Sequence, residues 1–443
     1  MKLQCHLRPL IFGSILRQGN GTFGLERMNQ ATFRPRPRRP ASGPRFLDKE
    51  QPAGSDTWLQ PWVQLKFFSY HPTIYPAMIR SVSPQAKSGD IVNIYDKEGQ
   101  IFGRGLYNPN ARVPLRVFYH GAEEAGDEYL AELLNRAIDL RLNILRLPEQ
   151  TDAFRVIHSD GDTLSGLIVD KYGDVLSVEV HSHGVYSRLP GFLEILHSRL
   201  GTKRQVVHVD ERIARMEGIK PKRAAEAPPR AVRIRENGVK FEVDFEEGHK
   251  TGFFCDQREN RLRLSRLVKD CRVLDLCCYT GGFAIAAAAN EKAKEVTGVD
   301  LDEKAIAQAK RNANLNQVRV NWVHCDAFSY ARQMQGNKEQ WDVIILDPPK
   351  FVVSREEFRD GQRKYEDLNQ LGISLLRPGG LLVTCSCSGL VSAADFEEFT
   401  IRAAHRQARR LQFLDRTEAG PDHPVMSNCP ESRYLKVLWA RVF

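Results

Sequence analysis

The chain alternates between stretches with a two-residue hydrophobic period and stretches with a helical period. From 63 to 119, short apolar runs are separated by turn residues, and 96–99 fits a hairpin turn between two of them. This pattern predicts a small β-barrel or curled sheet. Apolar side chains then recur every three or four residues over 128–146, which predicts a helix.

A second unit is predicted to begin near Asp152. Residues 216–229 are rich in Lys, Ala and Pro and predict a loop. After it, two strands flank Asn237-Gly238, the residue pair best suited to a type I′ hairpin turn. The predicted elements of this region are strands at 154–158, 165–170 and 175–181, a helix at 187–200, and the hairpin strands at 232–235 and 239–245.

Strands and helices alternate regularly from residue 271 onwards. This order predicts a parallel, doubly wound α/β sheet, whose ligands bind at the carboxyl ends of the strands. The strands are predicted at 273–276, 296–299, 321–324, 343–346 and 381–384, and the helices at 283–289, 303–315 and 365–376.

Composition excludes several classes of protein. The 443 residues are 42% hydrophobic and 27% charged, which is typical of a soluble globular protein of roughly two to four domains. No apolar run approaches the roughly 20 residues that span a bilayer, so no membrane partner is expected. Nine cysteines without a Cys-x-x-Cys pair predict neither a disulfide scaffold nor a metal site, and they favour a cytoplasmic location.

The net charge of +9 at first suggests nucleic-acid binding. Nine basic residues and one acid lie within 1–47, however, so this segment carries +8 and the remainder is almost neutral. Residues 1–57 offer little that a core could bury and are predicted to form a disordered basic tail. An RNA-contacting arm, a targeting segment and a mis-assigned start codon are the alternatives.

Acidic residues at successive strand ends predict a nucleoside site. The turn after the first of these strands is not a dinucleotide-binding loop, because Cys277 and Tyr279 stand where two glycines would be. Asp275 lies near the end of the first strand, Asp300 ends the second and Asp326 follows the third, where carboxylates can accept ribose hydroxyls and an adenine amino group. Without phosphate ligands, these acids suit a cationic nucleoside such as S-adenosylmethionine. Alternatively, such acids cap the next helix.

Two further loops carry candidate chemistry at the same sheet edge. Asp347-Pro348-Pro349-Lys350-Phe351 offers a carboxylate and rigid carbonyl acceptors for the polar edge of a base, with Phe351 available for stacking; the alternative is simply a rigid loop. Residues 384–389 (TCSCSG) place a cysteine where a nearby sulfonium favours the thiolate, although small buried cysteines are the alternative. A thiolate and a methyl donor in one crevice indicate methylation of cytosine or uracil at carbon 5.

Four segments together carry a resemblance that covers residues 60–443. They are 250–261 (KTGFFCDQRENR), 273–283 (VLDLCCYTGGF), 347–351 (DPPKF) and 385–390 (CSCSGL), joined by 422–425 (DHPV) and 434–436 (YLK). In combination they resemble the ribosomal RNA large subunit methyltransferase I family.

The resemblance implies three domains after the tail. These are a small β-barrel PUA-like domain at 58–125, a central α/β domain at 126–245 and a Rossmann-like class I methyltransferase domain at 246–443. It further implies S-adenosylmethionine-dependent formation of 5-methylcytosine in large-subunit rRNA in the cytoplasm. The sequence does not specify an oligomeric state, and a homodimer is left open.

The resemblance also implies roles for individual residues. Cys387 would be the nucleophile, with Cys385 as the alternative thiol, and Asp347 would hold the cytosine edge beside Pro348, Pro349, Lys350 and Phe351. Methylation of a guanine or adenine nitrogen and a non-catalytic role in ribosome assembly are the alternative functions. The implied cofactor-binding residues are Asp256, Gln257, Arg258, Asp275, Tyr279, Thr280, Gly281, Gly282, Asp300 and Asp326.

Overall fold

The computed structural model describes residues 51–221, 229–246, 253–289 and 293–443. Residues 1–50 of the predicted basic tail lie outside the described residues, as do residues 222–228 of the predicted loop at 216–229. Residues 250–252 of the first motif segment are likewise outside them.

The first sheet of the described chain is six-stranded and curled, as the two-residue period predicted. Its strands are β1 (Trp62–Leu65), β2 (Thr73–Ile74), β3 (Ile79–Val82), β4 (Ile91–Tyr95), β5 (Ile101–Tyr107) and β6 (Leu115–His120). Their order is β2-β6-β5-β4-β1-β3, and only the β1–β4 pair is parallel. Strands β2 and β3 were not predicted, since runs this short carry little periodicity.

The central region places two helices against a second sheet. The helix α1 (Asp127–Asp139) continues into a π-helical turn at Leu140–Ile144. Apolar residues of α1 and of the second helix pack in one core with those of the first three strands of this sheet. The other elements are β7 (Ala153–His158), β8 (Leu167–Tyr172), β9 (Val175–Val180), α2 (His183–Leu200), β10 (Arg204–His208) and α3 (Glu211–Glu217), with sheet order β10-β9-β8-β7.

Two boundaries in this region differ from the prediction. The helix α2 starts four residues early, at His183, because Ser182 is extended and Gly184 and Val185 are already buried. The predicted loop at 216–229 starts inside α3, which ends at Glu217 and is followed by Gly218 in a left-handed conformation. Strand β10 and helix α3 were not predicted.

A two-stranded hairpin joins the central region to the last one. The strands β11 (Ala231–Glu236) and β12 (Val239–Asp244) pair in antiparallel register. Asn237 and Gly238 have φ of 49° and 84°, so both adopt the positive φ that the predicted type I′ turn requires. Apolar side chains of the hairpin share a core with residues of both neighbouring regions.

The last region is the predicted parallel, doubly wound sheet, extended by two strands. Its strand order is β15-β14-β13-β16-β17-β19-β18, in which β19 is antiparallel to both neighbours. The elements are α4 (Arg258–Ser265), β13 (Arg272–Leu276), α5 (Gly282–Ala289), β14 (Glu295–Asp300), α6 (Glu303–Leu315), β15 (Asn321–His324), α7 (Ala327–Gly336), β16 (Trp341–Leu346), α8 (Phe358–Leu375), β17 (Leu376–Ser386), α9 (Ala393–Arg406), β18 (Leu411–Thr417) and β19 (Lys436–Val442).

The start of β17 corrects the prediction. We expected the helix to reach residue 376 and the strand to begin at 381, after Pro378-Gly379-Gly380. Instead Leu376 already pairs with Trp341, and a register shift between Trp341 and Val343 accommodates the Pro-Gly-Gly segment within the strand. Proline is tolerated there because a register shift relaxes the hydrogen-bond ladder.

The strand order places a crevice at one edge of this sheet. After β15 the chain crosses to the other side of β13, so β13 lies between β14 and β16. Ligands of open α/β sheets bind at such a reversal, outside the carboxyl ends of the strands. In the part of the chain that the structure describes, no helix is long and apolar enough to cross a membrane.

Candidate functional site

The turn after β13 adopts a strained conformation. Cys277, Tyr279 and Gly281 have φ of 65°, 48° and 85°. The two positions that lack the glycines of a dinucleotide loop therefore still take the left-handed conformation, which costs a non-glycine residue roughly 1–2 kcal/mol. Such strain persists only where surrounding contacts fix it, and it concentrates at functional sites. One of those contacts is the hydrogen bond from the backbone N–H of Tyr279 to Oδ2 of Asp300, at 2.8 Å.

Gly281 is required by close packing as well as by its φ. A Cβ at this position would lie 2.6 Å from Trp322 and 3.0 Å from Ile285. Gly282 begins α5, and Thr280 is held by its carbonyl oxygen, which accepts a 3.1 Å hydrogen bond from Asn312. The turn therefore packs tightly against β15 and the helices α5 and α6.

A carboxylate at the end of β13 is buried with an unused acceptor. Oδ2 of Asp275 accepts the backbone N–H of Ala284 at 3.0 Å, whereas its Oδ1 has no hydrogen-bond partner among the described residues. Burial, together with the charges of Asp347 and Asp300, raises the pKa of Asp275 well above its usual value. An unpaired buried acceptor is costly, so a donor or a cation is expected at this position.

A second unused acceptor lies on the segment before α4. Oδ2 of Asp256 accepts the hydroxyl of Tyr434 at 2.6 Å, and Oδ1 is buried without a partner in the described chain. Burial and the nearby Asp256 raise the pKa of Asp347 to about 7, although Gln257 donates a 3.1 Å hydrogen bond to its Oδ2. The crevice therefore concentrates carboxyl groups, and this arrangement fits a cationic ligand.

The two other predicted acids differ in their local contacts. Asp300 accepts backbone N–H groups of Tyr279 and Asp302 and ends β14 beside the turn. Oδ1 of Asp326 accepts both the backbone N–H and the hydroxyl of Ser329, each at 2.9 Å, and thereby caps α7. The alternative interpretation of these acids as helix caps is therefore correct for Oδ1 of Asp326.

Gln257 and Arg258 are neighbours with different partners. Gln257 contacts Asp347, whereas Arg258 is fully buried and its Nη1 and Nη2 donate to Asp422 at 3.0 and 2.9 Å. Asp422 also accepts the backbone N–H of Arg155 from β7 at 3.0 Å. The structure therefore places the Arg258 side chain in a buried ion pair that reaches the central region, and its predicted contact with the cofactor stays a prediction.

The loop after β16 is tied to the loop after β17 through one hydroxyl. Oγ of Ser388 accepts the backbone N–H of Val352 at 3.2 Å and lies 2.9 Å from the hydroxyl of Tyr365. The ring of Phe351 packs 4.9 Å from that of Tyr365. Phe351 is therefore partly engaged in the core, while the neighbouring Lys350 is exposed.

The two candidate thiols occupy different environments. Cys385 lies within β17 and is fully buried, and burial together with the charge of Asp347 raises its thiol pKa well above the usual value. Cys387 follows the end of β17 and is partly exposed. Of the two, Cys387 has the accessibility that a nucleophile needs.

One charged residue near Cys387 was noted in the sequence only as part of a motif. Lys436, the first residue of β19, is 6% exposed, and its Nζ donates to the carbonyl oxygen of Ser388 at 2.6 Å. A lysine that opens the apolar run KVLW is the sequence signal that could have drawn attention to it. Its proximity to residue 388 depends on the pairing of β19 with β17, which sequence periodicity does not reveal.

One His/Cys/Glu group lies at the junction between the first sheet and the C-terminal loop. In the described chain, ligand atoms of His71, Cys429 and Glu431 lie within 4.8 Å of one another. Nδ1 of His71 lies 3.1 Å from the backbone nitrogen and 3.2 Å from the carbonyl oxygen of Thr73, and Nε2 lies 3.4 Å from Oε2 of Glu431. This geometry suits a histidine–carboxylate hydrogen bond.

Comparison with known families identifies two parts of the chain. A model described as S-adenosylmethionine-dependent methyltransferase matches residues 219–439, and a PUA-like domain model matches residues 59–119. S-adenosylmethionine is therefore the cofactor, as the acids at the strand ends predicted. The first match includes the hairpin β11–β12, which the sequence prediction assigned to the central domain, and the boundary at 245 stays a prediction.

Individual proteins resemble the chain over most of its length. Ribosomal RNA large subunit methyltransferase I of Aliivibrio fischeri (strain MJ11) is 35% identical over 379 residues, covering 84% of this chain and 95% of the relative. The protein of the same name from Tolumonas auensis is 36% identical over 380 residues, with the same coverage.

Solved structures share the fold at lower sequence identity. SMU.776, assigned as a methyltransferase and complexed with SAH, superposes with a TM-score of 0.69 at 22% identity, over 80% of this chain and 92% of that one. A protein assigned as a SAM-dependent methyltransferase from Streptococcus mutans gives a TM-score of 0.71 at 21% identity, over 86% and 100%.

Proposed function

The chain belongs to the ribosomal RNA large subunit methyltransferase I family, and on that premise we propose that it methylates carbon 5 of a cytosine in large-subunit rRNA. The observation that supports this proposal is a pair of neighbouring strand ends. Cys387, a partly exposed thiol, follows β17, and Asp347 follows the adjacent parallel strand β16. A thiol and a carboxyl group at one crevice are the two groups that carbon-5 chemistry needs.

The residues of the crevice suit the cofactor. When bound, S-adenosylmethionine supplies an electrophilic methyl group on a sulfonium centre. Asp275 and Asp256 each offer a buried, unpaired carboxylate oxygen to its positive charges. Asp300, at the end of the next strand, would accept the ribose hydroxyls. Tyr279 lies beside these acids, with its ring 5.3 Å from that of Phe254.

Cys387 and Asp347 would divide the activation of the base between them. The Cys387 thiolate forms a bond to C6 of the cytosine, and the displaced π electrons shift to N3, which takes the proton of Asp347. C5 thereby becomes an enamine carbon that can accept the methyl group. Loss of the C5 proton to a base then restores the C5=C6 bond, expels the thiolate and returns the N3 proton to Asp347. A pKa of about 7 allows Asp347 to hold and release that proton near neutral pH.

The environments of the thiols support Cys387 over Cys385. Attack requires the sulfur to approach the face of the base, and the Cys385 side chain is fully buried in the core beside Trp439 and Val383. Burial also disfavours its thiolate. Cys385 is therefore expected to shape the crevice.

The first domain supports an RNA partner. Phe67, Phe68 and Tyr70, within the PUA-like match, are 50%, 48% and 60% exposed. Clustered exposed aromatic side chains mark interaction surfaces, and unpaired bases stack on such rings. We propose large-subunit rRNA as the partner and the cytoplasm as the location.

A trapping experiment tests this function. Large-subunit rRNA transcribed with 5-fluorocytosine is incubated with the protein and S-adenosylmethionine. Fluorine cannot leave C5 as a proton does, so the wild type and the matched control Cys385→Ala should form a covalent adduct while Cys387→Ala should not. Mass spectrometry of nucleosides from unsubstituted rRNA should show 5-methylcytosine. A methyl group on a ring or exocyclic nitrogen, or wild-type turnover by Cys387→Ala, would contradict the proposal.

A further inference from the structure

Lys436 is a buried cation at the start of an apolar strand. Its side chain is 6% exposed, and it is followed by Val437, Leu438 and Trp439, all buried. Burial of an ammonium group is costly unless hydrogen bonds and a counter-charge compensate for lost hydration. In the described part of the chain, no salt bridge involves Lys436. Packing alone therefore does not explain why this charged group is buried.

Strand pairing brings this cation to the turn that carries Cys387. Lys436 pairs with Ser386 in the antiparallel register of β17 and β19. Its Nζ donates to the carbonyl oxygen of Ser388 at 2.6 Å and to that of Tyr434 at 2.8 Å. The lysine thus contacts the residues on both sides of Cys387. An ammonium has three N–H donors, and these two carbonyl groups use two of them.

We propose that Lys436 is the positioning residue for the Cys387 nucleophile: its third N–H donates to the sulfur and holds it as a thiolate aimed into the crevice. The inference deepens the proposed function, on which the identity of the nucleophile rests. The Cys387 thiolate is then the counter-charge that the buried Lys436 ammonium requires. This pairing also gives the thiolate a partner before any RNA or cofactor binds.

Other titratable groups near Lys436 and Cys387 set the pH range in which Lys436 is charged. Burial, together with the charge of Lys350 from the loop after β16, lowers the pKa of Lys436 to about 8, against the opposing effects of Cys387 and of Glu418 after β18. Tyr365 of α8 and Cys385 of β17 also face Cys387. The ammonium is therefore present at neutral pH and is lost as the pH rises above about 8.

The lysine keeps its proton throughout the covalent step. Formation of the S–C6 bond consumes the thiolate charge, and the proton that N3 receives comes from Asp347. Expulsion of Cys387 regenerates the thiolate beside the same ammonium. Lys436 thus lowers the cost of both the attacking and the leaving thiolate without any net transfer of a proton.

Alkylation of Cys387 tests the pair without RNA or cofactor. The full-length protein is treated with iodoacetamide over a range of pH, and the modified Cys387 peptide is quantified by mass spectrometry. In the wild type the rate should titrate with a midpoint below the ordinary thiol value of about 8.5. Lys436→Met should raise that midpoint by at least one pH unit and slow alkylation at pH 7 about tenfold. Lys436→Arg should retain a low midpoint, because it keeps the charge.

Two further variants separate electrostatics from folding. Lys436→Gln keeps an amide donor for the two carbonyl groups but removes the charge. Its alkylation midpoint should therefore rise as it does in Lys436→Met. This variant provides the test if Lys436→Met does not fold. Arg441→Met removes an exposed cation from the same strand, and its midpoint should match the wild type. A wild-type midpoint at or above about 8.5, or an unchanged midpoint in a folded Lys436→Met or Lys436→Gln protein, would overturn the proposal. Since no methyl transfer is measured, a different methylated product would refute the proposed function and leave this result intact.

Discussion

The side-chain amide of Gln257 donates a 3.1 Å hydrogen bond to Oδ2 of Asp347. This contact joins the segment before α4, where Asp256 offers an unpaired oxygen, to the loop after β16. It therefore couples the residues expected to hold the cofactor to the carboxyl group expected to hold the base. Gln257 can donate to Asp347 in either protonation state, since each leaves a carboxyl oxygen able to accept.

Asp347 should make the folded state less stable at alkaline pH. Its pKa is about 7 in the folded protein and about 3.9 in an unfolded chain, so only the folded state binds the proton between these values. The free energy of unfolding therefore falls as the pH rises through this window. Asp347→Asn should remove the effect and stabilise the protein at pH 8 by about 1–3 kcal/mol, allowing for partial exposure.

Urea unfolding at pH 5 and pH 8 measures this difference. The stabilisation by Asp347→Asn should be smaller at pH 5 than at pH 8, because pH 5 lies only about one unit above the pKa of the unfolded chain and most of the window is still to be crossed. The matched control Asp360→Asn, at an exposed ion pair on α8, should show no such dependence. Methylation by Asp347→Asn should fall at least about 100-fold. Equal stabilisation at both pH values would refute the assigned pKa.

Gly281 should tolerate alanine much less well than Gly238. Both have φ near 85°, so each substitution costs about 1 kcal/mol in backbone conformation. At Gly281 the new Cβ would also lie 2.6 Å from Trp322, whereas nothing lies within 4 Å at Gly238. Gly281→Ala should therefore cost a further 1–3 kcal/mol and weaken cofactor binding.

Thermal unfolding and isothermal titration with S-adenosylmethionine distinguish these two glycines. Gly238→Ala should keep the wild-type Kd, because the hairpin turn lies outside the crevice. Equal stability and equal Kd for the two variants would refute the prediction that a Cβ at position 281 clashes with Trp322.

Asp300 should contribute directly to cofactor affinity. A carboxylate at the end of the second strand accepts ribose hydroxyls more strongly than an amide does. Asp300→Asn should raise the Kd for S-adenosylmethionine about tenfold or more. Asp302→Asn is the matched control, because Asp302 caps α6 through one oxygen that asparagine can replace. Calorimetric titration should find its Kd unchanged, and equal Kd values for both variants would refute the ribose contact.

Asp422 should be essential for stability. It is fully buried, binds both Nη atoms of Arg258 and accepts the backbone N–H of Arg155. Burial alone would raise its pKa, but His423 and Arg258 hold the pKa well below its usual range. Asp422→Asn leaves Arg258 with only the partly exposed Glu259 as a counter-charge and should cost about 3–5 kcal/mol.

Chemical denaturation of a matched pair measures that cost. Glu397→Gln breaks a bidentate but more exposed ion pair with Arg416 and should cost no more than about 1 kcal/mol. Because Arg258 adjoins Gln257, Asp422→Asn should also weaken cofactor binding. A cost for Asp422→Asn no larger than that for Glu397→Gln would contradict the importance of this buried pair.

Local sequence signals predicted the elements whose form depends on nearby residues. Asn237-Gly238 predicted the hairpin turn correctly, since the positive φ of a type I′ turn is a local requirement. The same local reasoning failed at Pro378, where pairing of Leu376 with Trp341 extends β17 past the expected break. It also could not show that Cys277 and Tyr279 take the φ values of the glycines they replace.

The sequence by itself determined the three-region order, the alternating strands and helices of the last region, and the placement of Asp275, Asp300, Asp347 and Cys387 at strand ends. These follow from periodicity and from the rule that parallel strands share one carboxyl edge. Only the tertiary structure decided that Lys436 reaches the turn around Cys387, and that Asp422 binds Arg258. The first contact joins residues that are 48 positions apart in the sequence, and the second joins residues that are 164 positions apart. They depend on strand register and burial, which are set by long-range packing and leave no local pattern in the chain.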